Sequence, residues 1–253
     1  MRAALLRAAP ALFGVLALLV WEGAVRAFHV PPYLFPGPVA IVRAFAADAA
    51  GLLGSLLSTL LVTFVALAAA ACLGLAMALA VALSPLARAV IQPWAVVLQV
   101  TPIVAIAPLI IVLVGQPFAA LVLCATIVAF FPLFANTTSG LAAAAPELRD
   151  LFRLYGAGRW RTLRLLQAPA ALPYFLSGLR VSGGLALVGA VVAEFVAGSG
   201  GFASGLAYRI LESGYRLEIP RMFAALALLA LAGIAINVGL GGLERLATRD
   251  GGR

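Results

Sequence analysis

Apolar runs long enough to cross a bilayer recur along almost the whole chain, and that recurrence leaves little choice of fold. Runs at about 8–28, 55–83, 88–114, 118–138, 172–196 and 222–243 can each traverse ~30 Å of hydrocarbon as an α-helix rising ~1.5 Å per residue. Of the 253 residues 64% are hydrophobic and only 10% charged, too few charges to cover the surface of a soluble globule. The sequence therefore predicts an all-α polytopic membrane protein with six transmembrane helices.

Every one of the 17 basic residues is Arg, and the single His is His29. A chain without Lys has no phosphate-loop lysine, so it carries no standard ATP-hydrolysing site of its own. Cys72 and Cys124 lie inside apolar runs, where they read as small buried hydrophobes. No metal site, cofactor or catalytic residue is expected. Glu22, Arg180 and Glu194 are the ionisable residues within spans, and no two carboxylates share a depth, which speaks against an intramembrane hydrolase.

Six spans put both termini on one side. With the termini inside, eleven Arg fall in the cytoplasm (2, 7, 88, 149, 153, 159, 161, 164, 245, 249 and 253) and five outside (26, 43, 209, 216 and 221). That distribution satisfies the positive-inside rule and accounts for the net charge of +8 without nucleic acid as a partner. The four prolines between Val30 and Pro38 mark an external loop, followed by a short amphipathic segment at 41–53. Three parts result: 1–53, a first helix with that loop and segment; 54–243, a core of five helices; and 244–253, a cytoplasmic tail.

Ala66, Ala70, Gly74, Ala78 and Ala82 form a stripe of small residues at four-residue intervals, either a seam for close helix approach or simply Ala-rich composition. The third run contains Pro93, Pro102 and Pro108, with Gln99 and Thr101 beside the central one. Such a span either lines a passage, where freed backbone groups are tolerated, or is a kinked packing helix. Gln99, Thr101, Pro102, Asn136, Thr137, Ser182 and Glu194 are the candidate passage residues. The hydroxyl and amide groups among them serve equally well as helix caps, and Glu194 serves either as a gate or in an interfacial hydrogen-bond network.

The longest cytoplasmic loop, 145–169, has its own pattern. Leu148, Leu151, Phe152 and Tyr155 share one helix face, opposite Arg149, Asp150 and Arg153. Pro146 suits the first helical turn, the 156–158 Gly-Ala-Gly breaks the helix, and a second short helix with Arg159, Trp160, Arg161 and Arg164 is expected to stop at Pro169. By itself this reads either as an interfacial helix whose Arg reach lipid phosphates or as a docking element.

The loop resembles the cytoplasmic coupling loop of binding-protein-dependent ABC importer permeases. Asp150, Gly156 and the Ala168-Pro169 pair fall on that motif, with Leu151 and Phe152 where the family usually has two Ala. The resemblance extends to 30–33, 36–38, 99–109, 130–132, Asn136 with Thr137, 172–180 and 193–195. It is similar to the nitrate/sulfonate/taurine branch, above all its importers of thiamine pyrimidine precursors. The resemblance implies a type I importer permease (MetI-like) fold in a bacterial inner membrane, paired with a second copy. It also implies cytoplasmic ATPase subunits and an external solute-binding protein as partners, besides membrane lipid. The ATPase-coupling residues it implies are Glu147, Asp150, Leu151, Phe152, Arg153, Tyr155, Gly156, Ala157, Gly158, Arg159, Trp160 and Pro169. The cargo is expected to be a small polar solute, a thiamine pyrimidine precursor or a nitrate-, sulfonate- or taurine-type compound. An ion-coupled secondary transporter is the alternative from another class.

Overall fold

The computed structural model describes residues 2–197 and 204–249. Among them the helices are α1 (Arg2–Ala27), α2 (Pro38–Ala47), α3 (Ala49–Leu83), α4 (Pro85–Val100), α5 (Ile103–Val114), α6 (Pro117–Ala142), α7 (Pro146–Leu154), α8 (Arg159–Thr162), α9 (Ala168–Ala197), α10 (Leu206–Tyr215) and α11 (Ile219–Arg249), and no strand occurs. The 198–201 glycine-serine stretch and Arg253 lie outside the described residues.

Four helices are long and apolar enough to cross a membrane: α3, α6, the continuous run through α8 and α9, and α11. The pair α4 and α5, bent by 103° at its break, is apolar enough when taken together to count as a fifth span or as a re-entrant loop. At 26 residues, α1 is by length a sixth, at ~1.5 Å of rise per residue.

Local chemistry explains the boundaries. Ser84 Oγ accepts from the Ala87 N–H at 3.2 Å and Pro85 occupies the first turn, so α4 starts with a satisfied cap. The break between α4 and α5 falls at Pro102. Its ring disfavours helical geometry for the residue before it, and Thr101 is accordingly extended (φ −75°, ψ 121°). Pro93 and Pro108 remain inside their helices. Gly115 adopts a left-handed φ of 68° to end α5, and Pro117 opens α6. The predicted amphipathic segment at 41–53 is shorter than expected. It ends at Asp48, whose φ of −132° and ψ of 39° leave the helical region, and residues from Ala49 onward belong to the next span.

The centre of the bundle is α3, α6 and α9. Ala66, Ala70 and Ala78 are fully buried, and a Cβ at Gly74 would lie 3.2 Å from both the Leu133 Cβ and the Phe134 backbone N. Across the α6–α9 seam a Cβ at Gly189 would come within 2.8 Å of the Ala125 Cα. The small residues permit the backbone approach that makes dispersion the adhesive force in lipid. Glu22 of α1 accepts from Arg26 Nε at 2.7 Å and from the Val39 N–H at 3.1 Å, anchoring the start of α2. Arg180 pairs with Glu244 at 3.5 Å and donates to Asn237 Oδ1 at 3.0 Å, so it is tied to α11.

Candidate coupling element and solute passage

Proline, charge and glycine together shape α7 and the turn at its end. Pro146 and Glu147 occupy the first turn and Arg153 the last, complementing the helix dipole at both ends. Gly156 then takes a φ of +69°, which an L side chain adopts only with strain. The Ala157 N–H donates to the Phe152 carbonyl at 2.9 Å and the Gly156 N–H to the Arg153 carbonyl at 2.9 Å, the paired bonds of a Schellman stop. Gly158, extended, starts α8.

Pro169 does not stop the second helix, contrary to expectation. A π-helical turn over Leu163–Gln167 lies just ahead of it, widening the backbone where the ring needs room and an N–H is missing. One rod therefore runs from Arg159 to Ala197. Displacing the loop displaces α9 with it. Two further ties bind the loop: Arg149 Nη2 donates to the carbonyls of Leu141 (3.1 Å) and Ala142 (2.6 Å) at the end of α6, and Arg159 Nη1 donates to the Leu83 carbonyl (3.3 Å) at the end of α3. These side chains satisfy carbonyls that the helix ends leave open.

On the loop's surface Tyr155 is 82% exposed and Leu151 44%, whereas Phe152, expected on the same helix face, is half-buried. Leu148 (45%), Leu154 (85%) and Trp160 (65%) add to the apolar surface. Sequence reasoning misses Leu154, since it lies off the apolar stripe. Asp150 and Arg153 face each other at 3.5 Å, both well exposed, an arrangement of little energetic weight. Glu147, Gly156, Gly158, Arg159 and Pro169 are exposed, and Ala157 is half-buried.

The candidate passage residues separate into two groups. Gln99 and Thr101 line a cavity of about 300 Å³ at the α4–α5 break, with Phe131, Pro132 and Leu185, and Pro102 forms the break itself. Asn136 Nδ2 donates to the Pro132 carbonyl (2.8 Å), Thr137 Oγ1 to that of Leu133 (2.6 Å) and Ser182 Oγ to that of Ala129 (2.7 Å). Thr137 and Ser182 are buried, so both sit in packing seams and not on a cavity wall. A small hydroxyl satisfied by a helix carbonyl is a seam residue in a membrane protein. Glu194 is likewise removed from any described cavity. It is 3% exposed and accepts from Thr59 Oγ1 (2.9 Å) and the Ala207 N–H (3.1 Å), while the Leu206 N–H donates to Thr59 Oγ1 (2.9 Å). The carboxylate thus sits at the N-terminus of α10, where backbone donors favour an anion. It leaves no room for a side chain at Gly205, whose Cβ would overlap it.

Two further cavities lie along α4 from the one at the break. A groove of about 540 Å³ shares Phe131 with it and runs along α4 and α6 to Arg88 and Gln92. Arg88 and Gln92 also line a cavity of about 720 Å³ behind the coupling loop. Arg88, Gln92 and Gln99 succeed one another at spacings of four and seven, a polar stripe on α4 whose helical period is the sequence signal that could have found it.

Known proteins place this architecture. Residues 70–249 match the family described as binding-protein-dependent transport system inner membrane component. The chain is 38% identical over 93% of its length to the riboflavin transport system permease protein RibX of Chloroflexus aurantiacus, covering 87% of that protein. It is 29% identical to the formylaminopyrimidine transport permease protein ThiX of Halalkalibacterium halodurans, over 89% of this chain and 88% of the other. A crystal structure of an amino acid ABC transporter superposes with a TM-score of 0.66 at 21% identity, covering 79% of this chain and 96% of that one, which shows the same fold.

Proposed function

Because the chain belongs to the family of binding-protein-dependent transport system inner membrane components, an ABC importer permease subunit, we propose that two copies pair in a bacterial inner membrane with their termini and α7 in the cytoplasm. A binding protein outside delivers a small polar solute, and separate ATPase subunits drive its passage by alternating access. The observation that carries this reading is the coupling loop. Its Schellman stop at Gly156 presents Leu151, Leu154, Tyr155 and Trp160 outward, and its base is fixed to the ends of α3, α6 and α9. A rigid apolar projection suits a groove on an ATPase, with Glu147, Asp150 and Arg153 at the rim fixing register. Movement there reaches the membrane through α9 as rigid-body rocking.

The cargo we favour is an uncharged nitrogen heterocycle of the thiamine-pyrimidine-precursor kind. Gln99 and Thr101 beside Phe131 offer hydrogen bonds and an aromatic face with no charge in the lining, and the relatives named for riboflavin and formylaminopyrimidine point the same way. The test is uptake into liposomes holding the permease, its ATPase and ATP. Accumulation of a labelled pyrimidine precursor that needs both ATP and the binding protein is expected. Accumulation driven by an ion gradient without ATPase would refute the reading.

A further inference from the structure

The cavity behind the coupling loop has an electrostatic character that transport of a neutral solute does not require. Its lining includes Arg88, Arg149, Arg153 and Arg159, together with Gln92 and Gln167, and among the described residues no carboxylate lines it. A space of about 720 Å³ is not much wider than one Debye length, roughly 8 Å in physiological salt, so bulk ions screen these charges from one another only in part.

Two of the four guanidinium groups are held in place by other bonds. Arg149 is fixed by the carbonyls of Leu141 and Ala142, and Arg159 by that of Leu83. Those bonds occupy Nη2 of Arg149 and Nη1 of Arg159, and the Arg149 Nε is buried with no partner. Among the described residues Arg153 has only its exposed contact with Asp150. Arg88 projects from the first turns of α4, a 16-residue helix whose N-terminal dipole adds positive potential at the same place. Cations gathered in this way, partly pre-positioned, suit an anion with several oxygens that guanidinium forks can bridge. The cavity also lies beside the ends of α3 and α6, on the side where the positive-inside reading puts the cytoplasm and its anionic lipid headgroups.

We propose that this cavity is a binding site for a phosphate group, supplied by an anionic phospholipid headgroup or by a soluble phosphate compound. An occupant bridging Arg88 on α4 to Arg149, Arg153 and Arg159 of the loop ties the coupling element to the α3–α4 corner. Its effect on transport rests on the proposed ATPase coupling; its binding does not, and is measured on the permease without ATPase.

The experiment uses the full chain in nanodiscs. In one arm the lipid contains phosphatidylglycerol, and native mass spectrometry counts lipid retained per chain; in the other the lipid is phosphatidylcholine alone, and inorganic phosphate is titrated by thermal shift. Wild type retains phosphatidylglycerol or binds phosphate, and the arm that responds identifies the source. Arg88, whose side chain has no hydrogen bond or ion pair among the described residues, can be changed without dismantling a cap. Arg88→Gln is expected to weaken binding about tenfold and Arg88→Glu further, while Arg43→Gln, at the opposite end, has no effect. No binding in either arm, or equal loss from Arg43→Gln, overturns the site.

Discussion

The two ends of the bundle treat charge in opposite ways. At the α10 end, Arg209, Arg216 and Arg221 share Glu212, Glu218 and Asp48 at distances from 2.5 to 3.9 Å, and Arg209 Nε donates to Ser55 Oγ. At the coupling-loop end, four Arg surround a cavity without a carboxylate in its lining, and large apolar side chains stand exposed on the loop. One end satisfies itself. The contrast is one of charge alone, since Tyr215 and Leu217 stand about as exposed at the α10 end as Leu154 and Tyr155 do on the loop; the Arg cluster at the loop end is left for a partner or ligand to pair.

The largest expected effect breaks the loop. Gly156→Pro cannot reach a φ of +69° and removes the N–H that meets the Arg153 carbonyl. Binding-protein-stimulated ATPase activity in liposomes should fall more than tenfold while membrane insertion is unchanged. Retained stimulation would show that the loop does not transmit force. Phe152→Asp with Tyr155→Asp should behave alike, with more of the loss from Tyr155, because Phe152 is half-buried.

Next comes the closed end. Gly205→Ala sets a Cβ onto the Glu194 carboxylate and should loosen α10. A stability loss of about 1–3 kcal/mol is expected from overpacking, measured by thermal unfolding in detergent. Glu194→Ala should cost a similar ~1–3 kcal/mol because Thr59 and the Ala207 N–H lose their buried acceptor. If neither change alters stability, α10 is not latched through Glu194.

The smallest effect is a pH dependence confined to the same end. The hydrogen bond from Arg209, with Arg216 and Arg221 nearby, holds the Glu212 carboxyl below its ordinary value. A depressed folded value means that its stabilisation is complete above the unfolded value and is lost as pH falls through the folded one. Amide exchange in α10 should therefore quicken in acid below the ordinary carboxylate range, relative to the same amides in Glu212→Gln. An identical acid response in both proteins would assign the dependence to another group.

Hydropathy made the spans legible because a bilayer admits few other solutions, and Pro102 marked the break because a proline restricts the residue before it. Gly156 announced the loop's stop by the same logic. The 103° bend was not legible, since its size depends on what packs around it. Pro169 misled because the π-turn that accommodates it has no simple sequence signature. Thr137, Ser182 and Glu194 stayed open between a passage and a hydrogen-bonded packing role because their polarity is visible in sequence but the face they occupy is not. In the fold Ser182 bonds across a seam to Ala129 and Glu194 to the start of α10, while Thr137 donates to Leu133 of its own helix.

The most direct test of ATPase coupling through α7 is a pull-down of the cognate ATPase with detergent-solubilised permease, wild type against Tyr155→Asp. Tyr155 is 82% exposed, so the substitution leaves the fold undisturbed. Specific binding by wild type that is lost in the variant is the predicted result; equal binding by both would place the coupling surface elsewhere.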